Sequence, residues 1–390
     1  MWGNYALSLY RTLSRHRLYA ALNTLGLAFG IAVCTILLLV VRFETGFDRW
    51  MPHGEGIFRV NQIATFAGRP PNDSPATQAV LLPHLLNDFP QIQAGTRLME
   101  SDFVVRNGEQ QAFERVILAD AAIFDIFPLP FVAGDKTSAL ADTSSLVISQ
   151  AMAKKYFGTE AVLGRRLTVV VDGDPRDYRI TGVLKEIPAD SNLNLDFIGR
   201  YSPDVLPRRR DEQDSWGSNF LHTYLRLKHP SDAAAIQSGL KAFVDRTLPR
   251  DGPELPSTHR TYNLLPLSRL HFYDAKNSEA FRPGVDPLFI GALGVMGVVT
   301  LLIAVVNYVS LATARAGMRA REVAVRKVMG ATRRALIVQF VAESLAIAAV
   351  AGLIAAALVE LALPGVSAML GEPIRMTYFG AQGVALPLVA

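Results

Sequence analysis

The chain has 390 residues, is 50% hydrophobic, carries one cysteine and has a formal net charge of +4; its mean hydropathy is +0.23. So apolar a composition does not fit an ordinary soluble protein, and membrane segments are the first feature to look for. The lone Cys34 rules out an intrachain disulfide, so any exported domain must fold without one.

Residues 1–17 carry three arginines and no acid. On a helical wheel Trp2, Tyr5, Ala6, Leu9 and Leu13 share one face, with Asn4, Ser8, Arg11 and Arg15 on the other. This predicts a cytoplasmic, interfacial amphipathic helix over 1–17. Residues 18–41 follow without a charge; at about 1.5 Å per residue they span about 36 Å, enough for a hydrocarbon core of about 30 Å. This first span holds Gly26 and Gly30, a small-xxx-small pair that lets another helix approach closely. Cys34 lies inside it and reads as a buried structural thiol.

Residues 42–285 are nearly charge-balanced, with 28 basic and 30 acidic residues. Strand patterns occur at Ile57–Ile63, Phe113–Leu118, Leu146–Ile148, Leu167–Val171, Tyr178–Leu184 and His222–Leu227. Helical patterns occur at 76–88, 150–157 and 233–247, with Ser149 and Gly158 as caps for the second. The segment therefore reads as an α+β domain. The "DGDP" at 172–175 reads as a hairpin turn and 203–216 as an exposed loop. "DSNLNLDF" at 190–197 begins like a calcium loop, but Leu195 stands where glycine is needed and Tyr201 where a bidentate glutamate is needed. The histidines have no zinc spacing, and no phosphate-cradling or nucleophile motif occurs, so catalytic, metal and cofactor residues are expected to be absent.

Residues 287–314 form a second uncharged run, opened by Pro287, which suits a first helical turn. A third span is predicted over 335–363, ending at Pro364. It contains Glu343, about 12 Å in by helical rise. A carboxylate there must face protein, water or a basic partner, and reads as a helix-packing or interfacial polar contact. Residues 364–390 form an extracytoplasmic segment leading into an apolar run that starts a fourth span.

Between the second and third spans, 315–334 carries seven basic residues and one acid. The excess of positive charge places the N-terminus and this loop in the cytoplasm, and 42–285 outside. The fold class is thus a membrane protein with three α-helical spans plus the start of a fourth. A large α+β extracytoplasmic domain is inserted between spans one and two. A pure topology signal would need only the charges of the loop. This one also pairs Glu322 with Arg326 at helical spacing, adds Val323, Val328 and Met329, and breaks at Gly330 before a Thr332 cap. Its charges lack interleaved aromatics, which argues against nucleic acid. A short docking helix for a cytoplasmic protein explains more of its residues.

"RAREVAVRKVMGATRRALI" at 319–337 resembles the signature of MacB/FtsX-type ABC transporter permeases, read at Arg319, Glu322, Val323, Val325, Arg326, Lys327, Gly330, Ala331 and Thr332. "SLVISQAMAKKYFG" and "YRITGVLKEIPADSNLNLDF" resemble the family's MacB-like periplasmic core domain. The resemblance implies a multi-pass permease subunit of a bacterial inner (plasma) membrane, without enzyme activity of its own. ATP would be bound by a cytoplasmic ABC ATPase docking at Arg319–Thr332, and motion would pass to the periplasmic domain, for efflux or envelope trafficking. The implied further partners are membrane lipids, a second permease copy or half, and a periplasmic adaptor or envelope protein. The alternative is an FtsX-like signalling subunit that controls a periplasmic partner. The family's half-unit has four spans, so the chain is expected to be a partial permease.

Overall fold

The computed structural model describes residues 17–371 except Asn194, Asp251, Ser278, Glu279 and Arg315, together with Pro373, Ile374 and Met376. The amphipathic helix expected over 1–17 lies outside the described residues apart from Arg17, as does the apolar run expected to open a fourth span. The described chain divides into two units: a helical one on either side of residues 46–286, and those residues themselves.

The helical unit begins with α1 (Arg17–Thr45). Three helices of the chain are long and apolar enough to cross a membrane, α1 being the first. The others come after the inserted domain.

The inserted domain is built on one 11-stranded sheet. In chain order its main elements are β1 (Ile57–Ala64), β2 (Asn72–Ser74), α2 (Leu81–Asp88), β3 (Ile92–Asn107), β4 (Gln110–Ala119), α3 (Ile123–Ile126), β5 (Phe131–Gly134) and β6 (Ser145–Ser149). Then follow α4 (Gln150–Phe157), β7 (Arg166–Val171), β8 (Asp174–Leu184), β9 (Phe197–Arg200), β10 (His222–Leu227), α5 (Ala233–Thr247), β11 (Arg260–Pro266) and α6 (Leu270–Tyr273). The strand β3 organises the sheet. Its first half pairs with β10, its second half pairs with β4, and Val104–Arg106 also pair with β7. Because β4 pairs β9, β9 pairs β6, β6 pairs β8 and β8 pairs β7, six strands close into a ring. Alternation along β3 sends Phe103 and Val105 inward, where they meet Val116, Ile148, Val169, Ile180 and Phe197 in one core.

The other half, β11-β1-β10-β3, is covered on one face by α2 and α5 through Leu81, Leu85, Ile236, Leu240 and Phe243. Its opposite face packs Ile57, Tyr224 and Leu265 against Ile123 and Phe127. Fully burying each such side chain is worth about 1.5–3 kcal/mol.

The caps read at α4 are present: Ser149 Oγ accepts from the Met152 N–H at 3.3 Å, and Gly158 is left-handed at φ 68°. The "DGDP" stretch is a two-residue hairpin, with Asp172 and Gly173 at φ 54° and 93° joining β7 to β8. Residues 76–80 differ from expectation, because α2 starts only at Leu81. The Thr77 hydroxyl is spent on the Leu221 carbonyl and on Thr223 Oγ1, and its backbone bridges to Leu221, which holds this stretch extended. Nor is 203–216 a plain exposed loop, since it contains a 3₁₀ turn at Pro207–Glu212 and buries Val205 and Leu206.

After the domain come α7 (Pro287–Ala314), α8 (Ala316–Val328) and α9 (Arg333–Leu370). Helix α1 packs on α7 at its small residues. A methyl built on Gly30 would overlap the Cβ of Ala304, whereas one on Gly26 would meet only Asn307 Nδ2 at 3.7 Å. Gly30 is therefore the tighter contact of the pair. Helix α9 does not stop at Pro364. It runs on to Leu370 and closes at left-handed Gly371, whose N–H reaches Ser367 O. The residues after Pro364 remain apolar, and helices in lipid tolerate the one backbone bond that proline removes.

Candidate functional site

The basic loop folds as α8, a turn, and the start of α9. Helix α8 ends in a Schellman arrangement: the Gly330 N–H donates to Lys327 O at 3.1 Å and the Ala331 N–H to Arg326 O at 3.0 Å. Gly330 sits at φ 91°, with open space where a Cβ would be, so the need for glycine is one of backbone conformation alone. Thr332 then adopts an extended backbone, and its hydroxyl accepts from the Ala335 N–H at 3.3 Å. A hinge and a cap thus set the angle at which the chain re-enters a long apolar helix.

Two faces of α8 differ in chemistry. Val323 and Arg326, three residues apart, are half-buried. Val325, Val328 and, in the turn just after the helix, Met329 are 57%, 89% and 82% exposed. Lys327 is exposed as well. Of Arg319 and Glu322 only the backbone is described, so the Glu322–Arg326 pairing expected from spacing lies outside the described side chains.

The guanidinium of Arg326 turns towards α9, where its Nη1 donates to Gln339 Oε1 at 2.6 Å. Gln339 Nε2 in turn reaches Glu343 Oε1 at 3.4 Å, one helical turn further along. Both acceptors are buried. Glu343, singled out as an expensive acid in an apolar run, is thus part of a polar chain leading from α8 into α9. Gln339 was not among the residues singled out from sequence. A glutamine flanked by apolar residues and one helical turn before a glutamate was the available signal. The structure brings Arg326, Gln339 and Glu343 together, while Val325 and Val328 are turned to the outside.

Residues 20–243 match the family model described as the MacB-like periplasmic core domain, and residues 294–386 match the FtsX-like permease C-terminal model. The ABC transporter permease YknZ of Bacillus subtilis is 26% identical over 236 residues, covering 60% of this chain and 52% of that protein. The chain therefore spans about half the length of that curated relative. Among solved structures, a domain of a permease protein from Porphyromonas gingivalis is 23% identical with a TM-score of 0.48. That match covers 56% of this chain and 92% of that one. The periplasmic region of MacB from Actinobacillus actinomycetemcomitans is 14% identical with a TM-score of 0.39, over 58% and 94%. With its core-domain match extending over more than half the chain and the permease match following it, the chain belongs to the MacB/FtsX-type ABC transporter permeases of the bacterial inner membrane.

Proposed function

We propose that this permease chain takes up motion from a separate cytoplasmic ATPase through α8 and passes it to the inserted domain on the other side of the membrane. The observation that carries the reading is the two-sidedness of α8. One face is tied to a membrane helix through Arg326 and Gln339, and the other leaves Val325, Val328 and Met329 uncovered among basic residues. An exposed apolar cluster rimmed by positive charge suits an apolar cleft edged by carboxylates. In this reading ATP binds the partner and the chain itself is not an enzyme. Basic residues 315–334 and the N-terminus lie in the cytoplasm, residues 46–286 lie outside, and a second copy or half completes the membrane unit.

The test is co-purification with the cognate ATPase, comparing the parent chain with Val328→Asp plus Met329→Asp. Recovery of the ATPase is expected to fall at least tenfold, with membrane insertion unchanged. Equal recovery from both chains would overturn the docking assignment.

A further inference from the structure

We infer that Asp48, Ser191, Asn192 and Arg282 form a junction that makes the segments entering and leaving the inserted domain move as one body, positioning the domain when the spans move. This rests on the coupling reading above and adds where the motion enters the domain.

The entering segment follows α1 directly, and the leaving segment runs into α7. Asp48 is buried and left-handed at φ 57°. Its N–H donates to Asp190 O at 2.8 Å. Its carboxylate accepts from Ser191 Oγ at 2.8 Å, from the Asn192 N–H at 3.1 Å and from Asn192 Nδ2 at 2.6 Å. From the leaving segment, Arg282 donates to Ala189 O at 2.6 Å and Ser191 O at 2.8 Å. The two segments also touch each other directly. Phe47 stacks on His271 with ring centroids 3.5 Å apart and planes 6° from parallel, and the Arg282 guanidinium lies 4.9 Å from the Phe47 centroid.

One short stretch, 189–192, is therefore held by both segments. It connects β8 to β9, two strands of the closed ring. A displacement of either segment reaches the ring through charge-assisted bonds, which are roughly twice as strong as neutral ones. A left-handed Asp is a strained backbone, which the surrounding bonds must hold in place. In the "DSN" that opens like a calcium loop, Ser191 Oγ, Asn192 Nδ2 and the Asp190 carbonyl all bond to the chain's own Asp48.

The chemistry allows a swap. Asp48→Asn keeps the shape but removes the charge and sets an amide donor against the Asn192 Nδ2 donor; turning the Asn192 amide over would bury its NH2 where Oδ1 now has no partner among the described residues. Adding Asn192→Asp restores one donor facing one acceptor. The experiment uses the full chain with its ATPase in nanodiscs, spin-labelled at Phe113→Cys and Met369→Cys in a Cys34→Ala background. Both label sites are exposed, at 80% and 89%. The parent is expected to show a change in label distance on ATP trapping. Asp48→Asn should reduce that change at least fivefold, and the double swap should return most of it. Thermal unfolding of each variant is the structural control. If Asp48→Asn unfolds the domain, Ser191→Ala, which removes one bond to Asp48 and the acceptor of the Leu193 N–H, should still lower the response about twofold with the domain folded. A response unchanged in the folded Asp48→Asn or Ser191→Ala chain would overturn the junction alone. A parent chain with no response would overturn it too. Co-purification shows whether ATPase docking has failed as well.

Discussion

Arg326 and Gln339 meet at 2.6 Å across the turn between α8 and α9, and this bond, continued to Glu343, ties the basic helix to a membrane helix. Interhelical polar contacts in membranes are worth about 0.6–1.7 kcal/mol. Gln339→Leu removes the acceptor and leaves the volume. Amide exchange along 316–328 is expected to speed up by about fivefold, the factor for roughly 1 kcal/mol of local stability. Exchange unchanged within twofold would show that other contacts hold α8.

The turn itself gives a second prediction. Gly330→Ala meets no steric neighbour, so its only cost is the left-handed backbone, about 1–2 kcal/mol. Thr332→Ala loses a cap worth about 1 kcal/mol. Each variant should fray the α8–α9 turn, seen as new protease nicking near 329–335. Thr332→Ser should behave like the parent. If Gly330→Ala resists protease as the parent does, the left-handed stop is not needed.

The contact of α1 with α7 is sharper. Gly30→Ala should lower the unfolding midpoint of the detergent-solubilised chain, because the new methyl overlaps Ala304 Cβ. The pair Gly30→Ala with Ala304→Gly moves the methyl to the other helix and should recover most of the loss. Gly26→Ala, with Asn307 Nδ2 at an ordinary contact distance of 3.7 Å, should be close to neutral. Equal losses at Gly26 and Gly30 would contradict this packing.

What could be read in advance follows from locality. Helix α4 carries its own stop signals in Ser149 and Gly158, and the 172–173 turn needs only Asp-Gly between two apolar runs. The first two spans announce themselves by long runs without a charge, and the third by an apolar run broken only by isolated acids such as Glu343. Strand β3 gave no comparable signal. Its "QAGTRLMESDFVVRN" mixes charge, glycine and apolar residues, because successive parts face β10, β4 and β7 in different surroundings. The 77–78 stretch read as helix because its hydroxyl and amide partners, Leu221, Thr223 and Asn219, lie far away in sequence. The same holds for the candidate site. Gly330 and Thr332 are local devices and were legible, whereas the bond from Arg326 to Gln339 depends on how two helices fold back on each other.

Glu100 tests the electrostatics of the inserted domain. Its carboxyl lies 2.8 Å from Arg115 Nε, yet Oε2 is buried with no hydrogen-bond partner among the described residues. Burial pushes its pKa above the ordinary value, outweighing the pull of Arg115. The sign follows: a carboxyl raised in the folded state costs nothing below its unfolded pKa. The penalty grows as pH climbs from there through the folded value, and stays constant above it. Glu100→Gln should therefore raise the thermal midpoint of the full chain at neutral pH, and the gain should vanish below about pH 4. A variant less stable than the parent at neutral pH would show that the Arg115 pair outweighs the burial.

The buried pair Arg59–Asp274 makes the strongest prediction. Arg59 on β1 is 2% exposed, and its two terminal nitrogens each lie 2.6 Å from an oxygen of Asp274, with Nε on Asn61 at 2.9 Å. This fork joins the first strand of the domain to the segment that leads out of it, and Tyr273 and Asn277 add bonds to Asp73 beside it. Breaking such a pair strands a charge in a place it cannot be solvated, at a cost of about 3–5 kcal/mol. Asp274→Ala should therefore lower the domain's unfolding midpoint by many degrees, while Asp73→Asn, outside the ion pair, should cost much less. The joint variant Arg59→Met with Asp274→Ala removes both charges and should recover a large part of the loss, as exchanging a buried pair for apolar volume does. If the joint variant is no better than Asp274→Ala alone, the penalty comes from lost packing and not from the orphaned guanidinium.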